Sequence, residues 1–358
     1  MAGLGVCIVG TGWGRFLGTA IRRALPDVRL FVCGRDPAKT ARMSRALGAV
    51  AAFTSLENAL DDPRVEAVVL AIPHHLHRWA TVASLRAGKH VFVEKPIATS
   101  LDDADVMIES ARAAGKALFI SDNLHCQPAV TEVRARLESG ELGRPLYFLA
   151  NSFGVHQPQG WRTRAHEMGG GILIDAGVRP IRALRLLFGE PEYVLAVRGP
   201  QVDAAMDGED NVQLLLYGEA GWRAHVLLSW SARRGNLPEY VVMAEKATMH
   251  ISMSENSLDS YPVDPPPIAR LISKLRPHWL QDVLSHPRFE RKRVRLAAAD
   301  RTGHLGQIRE FLTAAAAGVA PVDSALEARR DLEIITHAYQ SMRSGAPVRL
   351  ESHQLAAV

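Results

Sequence analysis

Short apolar runs alternate with longer amphipathic segments through the first third of the chain. Leu4–Val9 and Val28–Cys33 are apolar and rich in β-branched residues, and each is followed by residues with helical spacing. The same alternation predicts strands at Ala67–Ile72, Val91–Val93 and Ala117–Ser121, with helices between them. Apolar strands joined by helices form parallel sheets covered on both faces. We therefore predict a doubly wound α/β domain here.

After residue 125 the strands are separated by short turns, as is typical of antiparallel sheets. The predicted strands are Pro145–Phe153, Tyr193–Arg198, Asn211–Tyr217, Trp222–Ser231, Tyr240–Glu245 and Thr248–Ser252. The predicted helices are Pro128–Ser139, Ile172–Phe188, His304–Ala317 and Ser324–Ser344. We predict an α/β domain over residues 1–125 and an α+β domain with a mostly antiparallel sheet over 126–358. Residues 255–300 follow neither pattern, and so long an excursion is typical of a lid or a mobile insert.

The composition is that of an ordinary globular protein. Of 358 residues, 47% are hydrophobic and 22% charged, and 42 Lys+Arg against 38 Asp+Glu give a net charge of +4. This excess is too small and dispersed to predict a nucleic-acid partner. No apolar run reaches the ~18–20 residues of a membrane span. Cys7, Cys33 and Cys126 are widely separated in apolar segments, which predicts reduced, buried thiols. The amino terminus has no basic segment of a signal peptide, so we predict a cytoplasmic location.

A glycine-rich segment follows the first predicted strand. Its residues are Gly10, Thr11, Gly12, Trp13, Gly14 and Arg15. Gly10 permits a tight turn, Gly12 lets the backbone approach a pyrophosphate, and the following helix N-terminus offers free N–H groups. Arg15 replaces the third small residue of the fingerprint. Either Gly14 makes the close helix–strand contact instead, or Arg15 points toward a phosphate. The segment predicts a dinucleotide site.

The end of the second strand bears on the choice of nucleotide. An NAD site carries a carboxylate there for the ribose 2′-OH, but this chain has Gly34 followed by Arg35. Arg35 is suited to pair with a 2′-phosphate, whereas Asp36 is predicted to cap the helix that begins at Pro37. We predict NADP(H), with NAD(H) as the alternative. A solvated Arg35 that binds nothing stays open.

A Glu94-Lys95-Pro96 segment ends a buried strand at the sheet edge where ligands of parallel sheets bind. A lysine held there beside a cofactor can exchange a proton with a substrate oxygen. Taken alone, the segment is also compatible with a surface ion pair.

These motifs, in this order, resemble the Gfo/Idh/MocA family, which includes glucose–fructose oxidoreductase and inositol dehydrogenase. The segments that carry the resemblance are Gly10–Trp13, Ala71–His77, Ala87–Pro96, Asn123 with Pro128, Gly160–Arg162 and Gly169–Gly177. The resemblance implies a Rossmann domain and a second domain with an open, mostly antiparallel sheet. It also implies NAD(P), hydride exchange with a carbonyl or carbinol carbon of a small sugar-like or cyclitol substrate, and homodimers or homotetramers formed through that sheet.

The resemblance implies roles for matching positions. Pro73 and His77 would flank the nicotinamide, and Glu94 and Lys95 would contact its ribose and the substrate. The remaining matches are Asn123 in the shared cleft, and Trp161 and Arg162 on the substrate side. His125 is a departure on the substrate side, since the family frequently has arginine there.

One departure concerns the helix after the glycine triplet, where many members have an Asp and an acid/base His four positions apart. Here the pair is Asp175 and Arg179, which helical spacing would place on one face. Arginine stays charged and cannot shuttle a proton. It could hold a carboxylate or phosphate, or stabilise an alkoxide, and the proton role would pass to Lys95. An intrahelical ion pair between Asp175 and Arg179 is the structural alternative. His125, His156 and His166 are reserve candidates for the acid/base.

The sequence therefore predicts an NAD(P)(H)-dependent oxidoreductase with Lys95, Asp175 and Arg179 in its catalytic site. Two alternatives remain: a glycosidase that works by transient oxidation of its substrate with bound NAD, and a cofactor-sensing protein without catalysis. No metal is predicted, because adjacent histidines such as His74 and His75 diverge on a helix and lack partners at ligand spacing.

Overall fold

The first third of the chain forms a parallel sheet in the computed structural model, which describes residues 3–263, 291–298 and 300–351. Its six strands are β1 (Gly5–Val9), β2 (Arg29–Cys33), β3 (Ala51–Phe53), β4 (Ala67–Leu70), β5 (His90–Val93) and β6 (Leu118–Ile120). Their order is β3-β2-β1-β4-β5-β6, and all pairs are parallel. The predicted doubly wound sheet is confirmed. The strand order reverses between β1 and β4, and ligands of such sheets bind at that point.

Helices cover both faces of this sheet. They are α1 (Trp13–Ala24), α2 (Pro37–Leu47), α3 (Leu56–Asp61), α4 (His77–Arg86) and α5 (Leu101–Ala114). Asp36 caps α2 as predicted, since its carboxylate accepts a hydrogen bond from the Lys39 N–H at 2.9 Å. The short elements β3 and α3 were not predicted, because three to six residues give too little periodicity to recognise.

The second sheet has nine described strands. They are β7 (Pro145–Phe153), β8 (Tyr193–Arg198), β9 (Asn211–Tyr217), β10 (Arg223–Ser229), β11 (Tyr240–Ala244), β12 (Ala247–Ser252), β13 (Ser257–Pro262), β14 (Lys292–Arg295) and β15 (Val348–Arg349). The order is β14-β13-β12-β11-β7-β10-β9-β8-β15. Only β7 and β10 pair in parallel among these strands, so the predicted mostly antiparallel sheet is confirmed.

The remaining helices pack against this sheet or return to the first one. They are α6 (Pro128–Glu138), α7 (Ala165–Met168), α8 (Ile172–Ala176), α9 (Val178–Phe188), α10 (His304–Ala317) and α11 (Asp323–Ser344). The single helix predicted over Ile172–Phe188 is wrong, because the chain changes from α8 to α9 at Gly177. Pro180 has no N–H to donate to the carbonyl of Ala176, so the helical ladder is interrupted there.

The two sheets are tied together near the end of the chain. Phe311 of α10 packs between Phe92 and Phe119 of the first sheet, with ring centroids 5.6 Å from each. Helix α11 contacts both β6 and β8. The division of the chain at residue 125 stays a prediction, and α10 belongs spatially to the first sheet although it follows the second.

The structure also tests the predictions for residues 255–300, the cysteines and two tryptophans. Within residues 255–300, β13 and β14 extend the edge of the second sheet, and the lid interpretation otherwise falls on residues outside the described ones. Cys7 and Cys33 are buried thiols, but Cys126 is half-buried, so its predicted burial is wrong. Trp222 and Trp230 are buried just outside β10, not within it. Among the described helices, none combines the length and apolar character needed to cross a membrane.

Candidate functional site

A cleft of about 1200 Å³ lies between the carboxyl edge of the first sheet and the second sheet. Thirteen of the predicted site residues line it: Gly10, Thr11, Gly12, Trp13, Arg35, Pro73, Glu94, Lys95, Asn123, Trp161, Arg162, Asp175 and Arg179. One continuous space thus joins the glycine-rich segment to the predicted catalytic residues.

The glycine-rich segment forms a tight turn against β4. Gly10 has φ +109°, and a Cβ there would lie 2.1 Å from the carbonyl oxygen of Ala71, so only glycine fits. A Cβ on Gly12 would meet nothing within 4 Å, which leaves open space beside the backbone in the cleft. A Cβ on Gly14 would lie 3.0 Å from Ile8 Cγ2. Gly14 therefore makes the close helix–strand contact, and Arg15 lies outside the cleft lining.

The end of β2 borders the part of the cleft that contains residues 10–13 of the glycine-rich segment, which is the nucleotide end of the cleft. Arg35, Asp36 and Lys39 line it together with the turn after β3, which contributes Thr54, Ser55 and Glu57. The carboxylate of Asp36 is occupied by the α2 cap and lies 3.6 Å from Lys39 Nζ. A side chain at Gly34 would meet Thr11 and Thr40 at 2.7 Å, so this position stays bare.

Glu94 follows β5 and faces the glycine-rich segment. Its Oε1 accepts a hydrogen bond from the indole N–H of Trp13 at 2.8 Å, and Ser121 bonds the same carboxyl group. Burial raises the pKa of Glu94, although the neighbouring Lys95 ammonium and these bonds oppose the shift. Trp13 also stacks on Phe16 at 4.5 Å. Glu94 therefore fixes one wall of the nucleotide end.

Lys95 and Asp175 meet in the middle of the cleft. Lys95 Nζ donates to Asp175 Oδ1 at 2.7 Å and to the main-chain oxygen of Asp175 at 2.6 Å. Burial alone would raise the pKa of Asp175, but the Lys95 ammonium, followed by His74, holds it well below its usual range. Asp175 is therefore an anion that orients the lysine.

His74 is a cleft residue that the sequence analysis considered only as a metal ligand. It is 5% exposed, and its Nδ1 lies 2.9 Å from the carbonyl oxygen of Met168. Because a carbonyl only accepts, Nδ1 carries the proton, and the bare Nε2 lies 3.6 Å from Asp175 Oδ1. Burial, and then the charge of His77, lower the pKa of His74 to about 3. His74 is therefore a neutral hydrogen-bond acceptor.

Arg179 does not pair with Asp175. Its guanidinium donates to Asn123 Oδ1 at 2.7 Å, while the Asn123 amide donates to the main-chain oxygen of Thr302. The structural alternative of an intrahelical ion pair is wrong, because Asp175 lies in the last turn of α8 and Arg179 in the first turn of α9. Both side chains reach the cleft from different helices.

Trp161 and Arg162 line the cleft beside His74. The ring of Trp161 is 4.6 Å from that of His74, and the guanidinium of Arg162 lies over the Trp161 ring at 4.5 Å. Arg162 itself is exposed. The Trp161 ring thus packs against His74, and Arg162 packs on the Trp161 ring at the rim of the cleft.

Two predicted site histidines lie elsewhere. His77 is fully buried, with Nδ1 2.8 Å from the carbonyl of Pro96 and Nε2 3.0 Å from that of Ile72, so it connects two loops and is not among the residues that line the described cleft. His125 lies outside the cleft, with its Nε2 2.9 Å from Glu310 Oε2. Of the reserve histidines, His156 lines the cleft, but His166 is exposed on α7.

Other lining residues come from segments without a recognisable motif. His304, at the start of α10, has an unbonded Nδ1, and burial, then Arg179, lower its pKa to about 4. Tyr240 of β11 is buried beside the cleft, and Arg234 pairs with Glu239 at 2.6 Å. These residues become neighbours only through the pairing of distant strands, which no local pattern signals.

Comparisons with known proteins agree with this architecture. Residues 4–121 match the sequence profile of the oxidoreductase family with an NAD-binding Rossmann fold, and residues 130–250 match the Gfo/Idh/MocA C-terminal domain. The chain is 38% identical over 149 residues to 1,5-anhydro-D-fructose reductase of Ensifer adhaerens, covering 40% of this chain and 44% of the relative. It is 30% identical over 207 residues to trans-1,2-dihydrobenzene-1,2-diol dehydrogenase of Oryctolagus cuniculus, covering 57% and 62%. The chain thus spans about half the length of the curated relatives it matches.

Solved structures share the whole fold. A levoglucosan dehydrogenase in complex with NADH and levoglucosan superposes with a TM-score of 0.83 at 19% identity, covering 98% of this chain and all of the other. The aldose-aldose oxidoreductase of Caulobacter crescentus, complexed with glycerol, gives 0.80 at 23% identity, covering 97% and 99%. The two profile matches together span more than half of the chain, one on each side of the cleft. The protein belongs to the Gfo/Idh/MocA family of oxidoreductases, with an NAD-binding Rossmann fold at its amino-terminal end.

Proposed function

We propose that the chain is an NAD(P)(H)-dependent oxidoreductase that moves a hydride between nicotinamide and a carbonyl or carbinol carbon of a sugar-like substrate. The observation that carries the proposal is the position of Lys95. Its ammonium is held by Asp175 in the same cleft as the glycine-rich segment.

The residues at the nucleotide end fit a dinucleotide. The bare Gly12 leaves room for a pyrophosphate against the backbone, and the twelve-residue helix α1 begins directly after it with free N–H groups. Helix α1 has no acidic residue in its first turn. An anion at this helix end is therefore not opposed by a neighbouring carboxylate.

The end of β2 supports NADP(H) over NAD(H). Gly34 offers no carboxylate to a ribose 2′-OH, Asp36 is engaged in capping, and Arg35 borders the cleft as a cation. Glu57 borders the same end and is the carboxylate that an NAD(H) site would use. Arg35 and Glu57 therefore decide between the two nucleotides.

A nicotinamide nucleotide, when bound, supplies the hydride acceptor or donor. The chain's own residues carry out the proton transfer. Lys95 Nζ exchanges the proton with the substrate oxygen, and Asp175 keeps the ammonium oriented. His74, neutral and with a bare Nε2, accepts a hydrogen bond from a substrate hydroxyl. The Trp161 ring shields this region from water.

The names of the relatives support a sugar-like substrate class for this chain, and the second sheet supports an oligomer. Matches to a 1,5-anhydro-D-fructose reductase and to a levoglucosan dehydrogenase support a small polar sugar-like substrate. The second sheet presents exposed apolar side chains on one face, from three of its four consecutive strands β7, β10, β9 and β8. They are Tyr147 (52% exposed) of β7, Leu215 (39%) of β9 and Val197 (55%) of β8. We place a homodimer or homotetramer contact on this face.

The test combines nucleotide binding with turnover. NADP+ and NAD+ are titrated into the protein, and absorbance at 340 nm is followed with NADPH and a panel of ketoses, aldoses and cyclitol ketones. We expect turnover that Lys95→Ala removes while nucleotide affinity stays within about twofold. Full activity in Lys95→Ala would overturn the proton role. Tight nucleotide binding without turnover would favour the sensing alternative, and cleavage of an aryl glycoside without added nucleotide would favour the glycosidase.

A further inference from the structure

Arg179 is a cation without a carboxylate in ion-pair contact among the described residues, and the charge of Glu94 acts on it only at longer range. Among the described residues its guanidinium makes one hydrogen bond, to the neutral amide oxygen of Asn123, and no carboxylate lies within ion-pair distance. A guanidinium carries five N–H donors, so most of them face the cleft unused. Leaving a partly buried charge unpaired costs free energy, and an anionic ligand can offset that cost.

The other buried or half-buried arginines next to the site are paired. On the same helix, Arg182 contacts Asp122 at 2.6 Å, and Arg185 contacts Asp331 at 2.6 Å. Within the cleft, Arg234 contacts Glu239 at 2.6 Å. The fold therefore supplies carboxylates to these three arginines, whereas the half-buried Arg179 faces the cleft without one.

Two carboxylates that line the cleft, Asp175 and Glu94, bind other groups. Asp175 binds the Lys95 ammonium, and Glu94 accepts a hydrogen bond from Trp13 at the nucleotide end. At the opposite edge, Arg162 lies on the ring of Trp161 and has no carboxylate within ion-pair distance among the described residues. The substrate half of the cleft thus presents two unpaired guanidinium groups.

We propose that the substrate is a polyhydroxylated compound that carries a carboxylate group, and that Arg179 binds this carboxylate through its fork of N–H donors. The proposal rests on the oxidoreductase function proposed above and adds the charge of the substrate. Asn123 acts as a positioning residue, because its amide oxygen fixes the plane of the guanidinium. Arg162 adds a second positive charge at the rim and lowers the cost of bringing the acid into the cleft.

A carboxylate fits this arrangement better than a phosphate. Arg179 is the single guanidinium that is both half-buried and unpaired in the described cleft, which matches one negative charge. A phosphate dianion would leave its second charge to the exposed Arg162 alone. A guanidinium fork binds the two oxygens of one carboxylate side by side.

The experiment compares sugars that differ only at one carbon. D-glucuronate and D-glucose, and D-galacturonate and D-galactose, are titrated calorimetrically into the protein saturated with its nucleotide, and D-glucose 6-phosphate forms a further arm. We expect at least one acid to bind about tenfold or more tightly than its neutral counterpart, with a preference that weakens as salt is raised. Acids that bind no better than their neutral counterparts, including no binding of either, would overturn the proposal, as would a stronger preference for the phosphate.

Variants assign the preference to the residue. Arg179→Gln should abolish it, and Arg179→Lys should keep part of it, because a lysine retains the charge without the fork. Arg134→Gln, which alters an exposed ion pair with Glu138 outside the cleft, is the matched control and should behave as wild type. An acid preference that persists in Arg179→Gln would overturn the assignment. Acid binding without any turnover would leave this inference standing and remove the proposed reaction instead.

Discussion

The ammonium of Lys95 contacts Asp175 twice, at its carboxylate oxygen Oδ1 (2.7 Å) and at its main-chain oxygen (2.6 Å). These residues are 80 positions apart in sequence. Lys95 follows strand β5 of the first sheet, and Asp175 lies in the last turn of α8. The double contact holds the ammonium from one side and leaves its remaining N–H for a substrate. Lys95 is thus positioned by a residue of the opposite cleft wall.

Asp175→Asn should therefore reduce turnover without loosening the nucleotide. The amide keeps the shape and an acceptor oxygen but removes the charge that orients Lys95, so we expect kcat to fall about 10- to 100-fold. Nucleotide Kd, measured by titration, should stay within about twofold. Glu245→Gln, in an exposed pair with Arg144, is the control. An Asp175→Asn enzyme with wild-type kcat would contradict this role.

Arg35→Ala should change the choice of nucleotide. Removing the guanidinium takes away the partner of a 2′-phosphate, so the KM for NADP+ should rise about tenfold or more, while that for NAD+ should change little. Steady-state kinetics with both nucleotides measure this. Arg45→Ala, near the end of α2, controls for the loss of one surface charge. Equal increases for both nucleotides would show that Arg35 does not read the 2′ position.

Gly10→Ala and Gly12→Ala should separate folding from binding. The first places a Cβ 2.1 Å from a backbone oxygen at φ +109°, so we expect a loss of more than ~2 kcal/mol of unfolding free energy. The second places a methyl group in open space, so stability should hold while nucleotide affinity falls. Denaturant unfolding and nucleotide titration measure the two effects. Similar destabilisation in both variants would contradict this division.

Stability should fall in mild acid because of two cleft histidines. The pKa values of His74 and His304 are about 3 and 4 in the folded protein, below the 6.5 of the free side chain. Between pH 6.5 and 4 the unfolded chain therefore binds protons that the folded chain does not. The free energy of unfolding that these histidines contribute is present above pH 6.5 and is lost as the pH falls. The expected loss at pH 5 is about 2 kcal/mol per histidine.

Denaturant unfolding at pH 7 and pH 5 tests this expectation. The double variant His74→Gln with His304→Gln should show a smaller loss between the two pH values than the wild-type protein. His166→Gln, exposed on α7, serves as the control and should retain the wild-type loss. An unchanged loss in the double variant would place the acid sensitivity in other groups.

The apolar runs predicted the sheets well because burial on both faces leaves an unmistakable signature, as in Val91–Val93 of β5. The glycine-rich segment and Lys95 were also predictable, since each lies where one strand meets the next element. Arg179 was also predicted as a cleft residue, but its hydrogen bond to Asn123 and the position of His74 beside Asp175 were not. The spacing of Asp175 and Arg179 predicted a shared helix, but a proline after Gly177 separates them into two.

The sequence could not show which histidine of residues 73–77 faces the cleft. The segment from Pro73 to His77 contains three histidines. The family resemblance implied a site role for His77, whereas the structure turns His77 inward and His74 toward Asp175. Which one faces the cleft depends on a carbonyl at Met168, which is 94 residues away in sequence. Only the assembled fold brings that partner close.

Helix α10 has a consequence for dissection of the protein. It supplies Ile308, Phe311 and Leu312 to the core of the first sheet, although more than 150 residues of the second sheet precede it in sequence. A fragment that stops at residue 125 would expose Phe92 and Phe119 to water and be prone to aggregation. The core of the first sheet is completed only after ribosomes have made residues 304–317, so its final folding step must follow the synthesis of most strands of the second sheet.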